Sequence, residues 1–173
     1  MITSRSATLV EERIVTSIHE AGHLVATHAS SYFGLRDPAV EIKLDGPFAA
    51  LSGVTRIRDT SAPEHHLPST REYVLIALAG KAAEEEFLRR QPVTGPRLIP
   101  DPDGANHDIE KAEKALLSMG IADEREHLWH EITELVGQEW PSIQLVAERI
   151  LYSEQNNISR AALLEILPPK HDA

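Results

Sequence analysis

The chain contains no cysteine. That absence excludes a disulfide framework and any thiolate metal site, so a transition metal here has only histidine and carboxylate to bind. No apolar run approaches the roughly 18–20 residues needed to cross a membrane, and residues 1–10 lack the basic-then-apolar layout of a secretory signal. The expectation is a cytoplasmic protein with no membrane insertion. Positive charge is scarce: 17 Lys and Arg stand against 27 Asp and Glu, a formal net charge of −10. That balance argues against a nucleic-acid partner. Internal repeats and low-complexity tracts are missing, and so is any Gly-x-x-x-x-Gly-Lys-Ser/Thr phosphate loop. What is present is ordinary for one globular domain: 173 residues, 42% hydrophobic and 25% charged.

Within that ordinary chain, residues 19–23 read His19-Glu20-Ala21-Gly22-His23. Residues four apart in a helix lie one turn apart on the same face. His19 and His23 can therefore aim two imidazoles at one metal ion, with Glu20 beside them to take a proton from a metal-bound water. A helix is expected here over about 8–30. Thr8 and Glu11 have capping-box spacing, and Ile14, Ile18, Ala21, Val25 and Ala29 trace one apolar stripe. The histidines sit beside the stripe, at the edge of the core. Gly22 costs about 1 kcal/mol against alanine inside a helix, and close approach by a second segment is a packing reason for it. The competing reading is a surface helix with solvated histidines, since His28, His65 and His66 show that this chain scatters the residue.

Beyond this helix the pattern changes. Over 39–57, Val40, Ile42 and Leu44 alternate with polar residues. A turn signal follows at Asp45-Gly46-Pro47, and a second strand is expected from Ala49 to Ile57, interrupted by Gly53. Such a small sheet either offers its edge to an extended peptide or is only a structural hairpin. Residues 58–68 read as a loop carrying His65 and His66. Ser69 and Glu72 have capping-box spacing and open a helix over about 69–90. Its small-residue middle, Ala79 to Ala83, implies close helix contact, and Glu84 to Glu86 reads as a solvated charge run. Residues 91–104 form a linker into a helix over about 106–119, with Asn106 as its N-cap. Asp108 falls in the first turn, where the helix dipole favours a carboxylate. Spacing alone does not decide whether Asp108 is a metal ligand or only a well-placed charge. Residues 123–167 are helical, with Asp123 and Ser159 as caps, Pro141 opening a helix, and His127 and His130 on a solvated face.

Taken in order, these segments resemble the protease domain of the FtsH family, the ATP-dependent zinc proteases. His19-Glu20-Ala21-Gly22-His23 is similar to that family's His-Glu-Ala-Gly-His signature. Leu51-Ser52-Gly53-Val54-Thr55 resembles its substrate-binding edge strand, and Ala79-Gly80-Lys81-Ala82-Ala83-Glu84-Glu85 its Gly-Gly-Arg-Ala-Ala-Glu-Glu helix. Gly104-Ala105-Asn106-His107-Asp108-Ile109 resembles the Gly-Ala-Ser-Asn-Asp-Leu/Ile motif that carries the third zinc ligand. The last helix is compatible with Leu163 to Leu167. The resemblance implies a mainly α fold with a small β-sheet or hairpin, a helical zincin. It implies one zinc per chain on His19, His23 and Asp108, with Glu20 as general base. Leu51, Ser52, Gly53 and Val54 would bind a polypeptide substrate, and His107 and Glu84 would stand behind the ligands.

Two residues depart from the family pattern. Lys81 replaces an arginine whose bidentate contact lysine cannot reproduce, and His107 replaces an asparagine. With 18 residues before His19 and no phosphate loop, the expectation is a domain working without an ATPase of its own, on unfolded or flexible polypeptides or fed by a separate delivery partner. The activity implied is zinc-dependent endopeptidase. Its alternative is a catalytically silent, zinc-stabilised peptide-binding or adaptor domain. A narrower alternative takes Glu84 or Glu85 as third ligand, or His107 in place of Asp108.

Overall fold

A computed structural model of the protein describes residues 4–45, 50–60, 66–92, 94, 97–100, 105–153, 157–167 and 169; side chains of residues 4–9, 43–45 and 50–52 are outside that description. The fold is built around one helix. α1 spans Ser4–Ala29 and packs against the hairpin strands β1 (Phe33–Asp45) and β2 (Ala50–Asp59) and against helices α2 (His66–Arg90) and α5 (Trp140–Leu151). Every residue from Ser17 to Thr27 is buried. A helix covered all round must satisfy its polar side chains internally. Ser17 Oγ donates to the Arg13 carbonyl and Thr27 Oγ1 to the His23 carbonyl, each one turn back.

α2 supplies the other half of the core. Ile76 to Gly80 and Ala82 to Glu84 are all buried, and the small side chains let the two helix backbones meet. A Cβ at Gly22 would stand 2.5 Å from the Ala79 carbonyl oxygen and 2.8 Å from Ala83 Cβ. The packing reason expected for Gly22 is therefore present. α3 (Asn106–Met119) lies against α2 through Ala112 and Leu116. A 3₁₀ turn at Ala122–Glu124 leads into α4 (Arg125–Gln138), then α5, a two-residue strand β3 (Asn157–Ile158) and α6 (Arg160–Leu164). Leu128, Ile132 and Val136 of α4 and Ile143, Val146 and Ile150 of α5 join the same core. Arg90 at the end of α2 lies 5.2 Å over the Trp140 ring.

The sheet is antiparallel in the order β2-β1-β3. The β1–β2 register shifts between Leu35 and Val40, after which Val40 pairs with Thr55 and Ile42 with Gly53. β2 is thus an edge strand, with no strand on its far side among the described residues. No described helix is long and apolar enough to cross a membrane.

Several boundaries differ from expectation. The first helix begins at Ser4, so Thr8 lies inside it. The strands run from Phe33 to Asp59 because Pro38 falls within the register shift, where a ladder hydrogen bond is not required of it. Gly53 does not interrupt β2. α2 starts at His66, and Glu72 does not cap it but ties down the turn after α1, accepting from Ser30 Oγ and from the Ser31 and Tyr32 amides. α3 is preceded by Ala105 as N-cap with no side-chain bond, not capped by Asn106. Asp123 sits within the 3₁₀ turn. Ser159 does cap its helix, accepting from the Ala162 amide, and His127 and His130 are exposed. His65 and the 46–49 turn lie outside the described residues.

Candidate metal centre

The spacing of His19 and His23 on α1 turns both rings toward α2 and the start of α3. Each ring is held from behind. His23 Nδ1 is 2.7 Å from the Ile76 carbonyl oxygen, which only accepts, so Nδ1 carries the proton and Nε2 keeps its lone pair. His19 Nδ1 donates to Glu84 Oε1 at 2.8 Å. The two Nε2 atoms then face each other at 3.0 Å, and each lies 3.2 Å from Asp108 Oδ2. Asp108 arrives on the first turn of α3, with its other oxygen 2.9 Å from Lys111 Nζ.

Two lone pairs and a carboxylate oxygen at these separations repel unless a cation sits among them. The metal-free protein meets that demand with a proton. Burial works against charge on His19, but hydrogen bonds to Asp108 and Glu84 and the nearby Glu20 carboxylate overcome it and push its pKa up to about 10. Burial likewise opposes ionisation of Asp108, yet hydrogen bonds from His19 and from Lys111 hold its carboxyl well below the usual carboxylate range.

A metal ion fits the same place. The three ligand atoms lie within 4.8 Å of one another. Atoms about 2.1 Å from a tetrahedral zinc are about 3.4 Å apart, close to the 3.0–3.2 Å observed. Gly80 leaves the room: a Cβ there would stand 2.6 Å from both Nε2 atoms. Two imidazoles and one carboxylate, each imidazole backed by an acceptor, is a donor set suited to zinc.

No model of a known protein family and no curated protein matches the chain. The functional reading therefore rests on the geometry.

Glu20, the residue after His19, is buried beside this group and lies against β2. Thr55 Oγ1 donates to its Oε2, and the carboxyl presses on Gly53, where an added Cβ would meet Oε1 at 2.4 Å. His19, His23, Asp108 and Glu20 line one cavity of about 1000 Å³, together with Gly53, Val54, Thr55, Glu84 and His107. Of the predicted substrate-binding residues, Gly53 and Val54 reach the cavity. Leu51 and Ser52 pair with Leu44 and Lys43 on β1, and their side chains are outside the described ones. His107 is exposed at the rim.

The narrower ligand alternatives find no support. Glu84 faces Nδ1 of His19, the side away from the other ligands, and Glu85 is exposed. Nor is Glu84 part of a solvated run: it is buried on His19 and contacts Lys81 Nζ at 3.4 Å, while Glu86 pairs with Arg89 and Arg90. The spacing Gly80–Glu84, one turn on the small-residue face, was the available signal for that burial. Thr55 and the Ile76 carbonyl had none, because each depends on how β2 and α2 lie against α1.

Proposed function

We propose that the protein is a zinc-dependent endopeptidase acting on unfolded or flexible polypeptides. The observation that carries this reading is the convergence of two Nδ1-anchored imidazoles and Asp108 beside a buried, Thr55-oriented Glu20. Bound zinc would supply a Lewis acid and lower the pKa of a coordinated water to about 7. Glu20 accepts the proton of the attacking water and returns it to the leaving amine. Thr55 holds one carboxylate oxygen and so sets the direction in which the other faces. Glu84 and the Ile76 carbonyl keep both histidines in the tautomer whose Nε2 can donate. The edge of β2 that no described strand covers pairs with an extended segment of substrate, whose scissile bond then lies against Glu20 across Gly53. A folded domain cannot present such a segment, which sets the substrate class.

The test is metal analysis joined to cleavage of an unfolded protein. Wild type should carry about one zinc per chain and cleave. Glu20→Gln should keep its zinc and lose about 10²–10⁴-fold in rate, and chelation should abolish cleavage. Metal-free protein that still cleaves would refute the mechanism. Stoichiometric zinc with peptide binding and no cleavage would instead establish the silent binding domain.

A further inference from the structure

Residues 97–100 carry no helix, strand or turn, yet they are pinned to the end of α2. Gln91, the residue after that helix, clamps Leu98 at both backbone groups. Its Nε2 donates to the Leu98 carbonyl and its Oε1 accepts from the Leu98 amide, each at 2.8 Å. Arg97 Nη2 adds a bond to the Leu88 carbonyl in the last turn of α2. Burial alternates along the segment: Leu98 is half-buried and Pro100 buried, whereas Ile99 between them is 77% exposed. An exposed isoleucine alone needs no explanation. One held out to solvent on a backbone fixed on both sides does. Leu98 and Ile99 line the metal cavity beside Val15 and Thr16 of α1, and Val54, 42% exposed, lines it from β2. His19 meets Glu84 and His23 meets Ile76, so α1 and α2 run antiparallel and the end of α2 lies toward the start of α1. The clamped segment therefore stands beside the helical turn before His19 and Glu20, about 6 Å from Glu20 along the axis.

We propose that Ile99 is a specificity-determining residue that receives an apolar side chain of the polypeptide. This rests on the peptidase reading and names its substrate class more narrowly. β2 follows α1: Gly53 and Thr55 lie on Glu20, and Thr60 beyond the strand bonds the Tyr32 carbonyl beyond the helix. A segment paired with β2 therefore also runs along α1 and passes the wall that Ile99 forms. The side chains of Val15, Leu98 and Ile99 offer it only carbon, and covering Ile99 removes apolar surface from water on both partners. β-branching leaves Ile99 few rotamers and the Gln91 clamp holds its neighbour's backbone, so the contact costs little conformational entropy. An extended chain advances about 3.3 Å per residue, so 6 Å corresponds to an apolar residue about two positions from the scissile bond.

The experiment uses the full chain in the cleavage-dead Glu20→Gln form, loaded with zinc, and a series of labelled extended peptides. One leucine is moved along the peptide, with alanine at the same position as reference, and its register is counted from the bond that wild type cuts. Fluorescence anisotropy should show about tenfold tighter binding for leucine at one register about two residues away. Adding Ile99→Ala should bring that leucine-to-alanine ratio down to about 2. Ile99 is mostly exposed, so zinc content and circular dichroism of the double variant should match those of its parent. A ratio near 1 at every register before Ile99 is changed, or a preference at that register that survives Ile99→Ala, overturns the proposal. Leucine selectivity that Ile99→Ala removes, found without cleavage by wild type, would keep Ile99 and sink the peptidase reading. Cleavage without selectivity would sink only the role of Ile99.

Discussion

The two sides of the metal centre are built to different standards. His19 and His23 stand on a helix buried from Ser17 to Thr27, and each ring is clamped by an acceptor on α2. Asp108 stands on a short helix that packs mainly on α2, one fifth exposed, and its second oxygen is held by a lysine that is itself 43% exposed. One side is fixed by the fold; the other is held largely by the two histidines and an exposed lysine. The contrast places preorganisation on the histidines and adjustability on the carboxylate.

The most damaging way to break that contrast is to fill the fixed side. Gly80→Ala puts a methyl group into both Nε2 atoms, and neither ring can move without leaving Glu84 or Ile76. Zinc affinity should fall by more than the 10–100-fold that changes behind a ligand typically cause. Helicity should be unaffected, since alanine favours the helix by about 1 kcal/mol; titration against a competing chelator and far-ultraviolet circular dichroism read the two. Glu84→Ala is the next step down. It leaves the ligands in place but frees His19, with an expected loss of about 10–100-fold in zinc affinity.

Proton competition ranks third. In metal-free protein the folded pKa of His19, about 10, lies above its ordinary 6.5. The stability it contributes is therefore complete below pH 6.5 and disappears as pH rises toward 10. Asp108 is shifted the other way, and its contribution is lost only in acid. Calorimetry of stripped protein should show Tm falling from pH 6.5 to 10, and zinc, which must displace the His19 proton, should stabilise progressively more over that range. The smallest effect belongs to the adjustable side. Lys111→Ala removes an exposed pair three residues apart on a helix and should cost about 0.2–0.5 kcal/mol of stability. A loss of zinc affinity as large as that of Glu84→Ala would show that Asp108 is as firmly set as the histidines.

What the sequence revealed follows the same division. The four-residue spacing of His19 and His23, the first-turn position of Asp108 and the packing role of Gly22 are local facts of helical geometry, and the structure places all of them as expected. The local pattern misread Glu84, since three consecutive glutamates look like one solvated run while a helix sends each in a different direction; the family resemblance had put Glu84 behind the ligands, and it does stand behind His19. Glu72 has the spacing of a cap for α2, yet tertiary packing gives it to the end of α1. β3 is two residues long and is defined by its pairing with Val40 and Glu41, which no local pattern encodes.

The burial of α1 also fixes how the molecule opens. Residues Ser17 to Thr27 are buried against the rest of the fold, so hydrogen exchange of their amides should wait for global unfolding. α3 packs mainly on α2, and its amides can exchange by detachment of that helix alone. Asp108 can therefore part from His19 and His23 while the helix that carries the histidines and Glu20 stays folded.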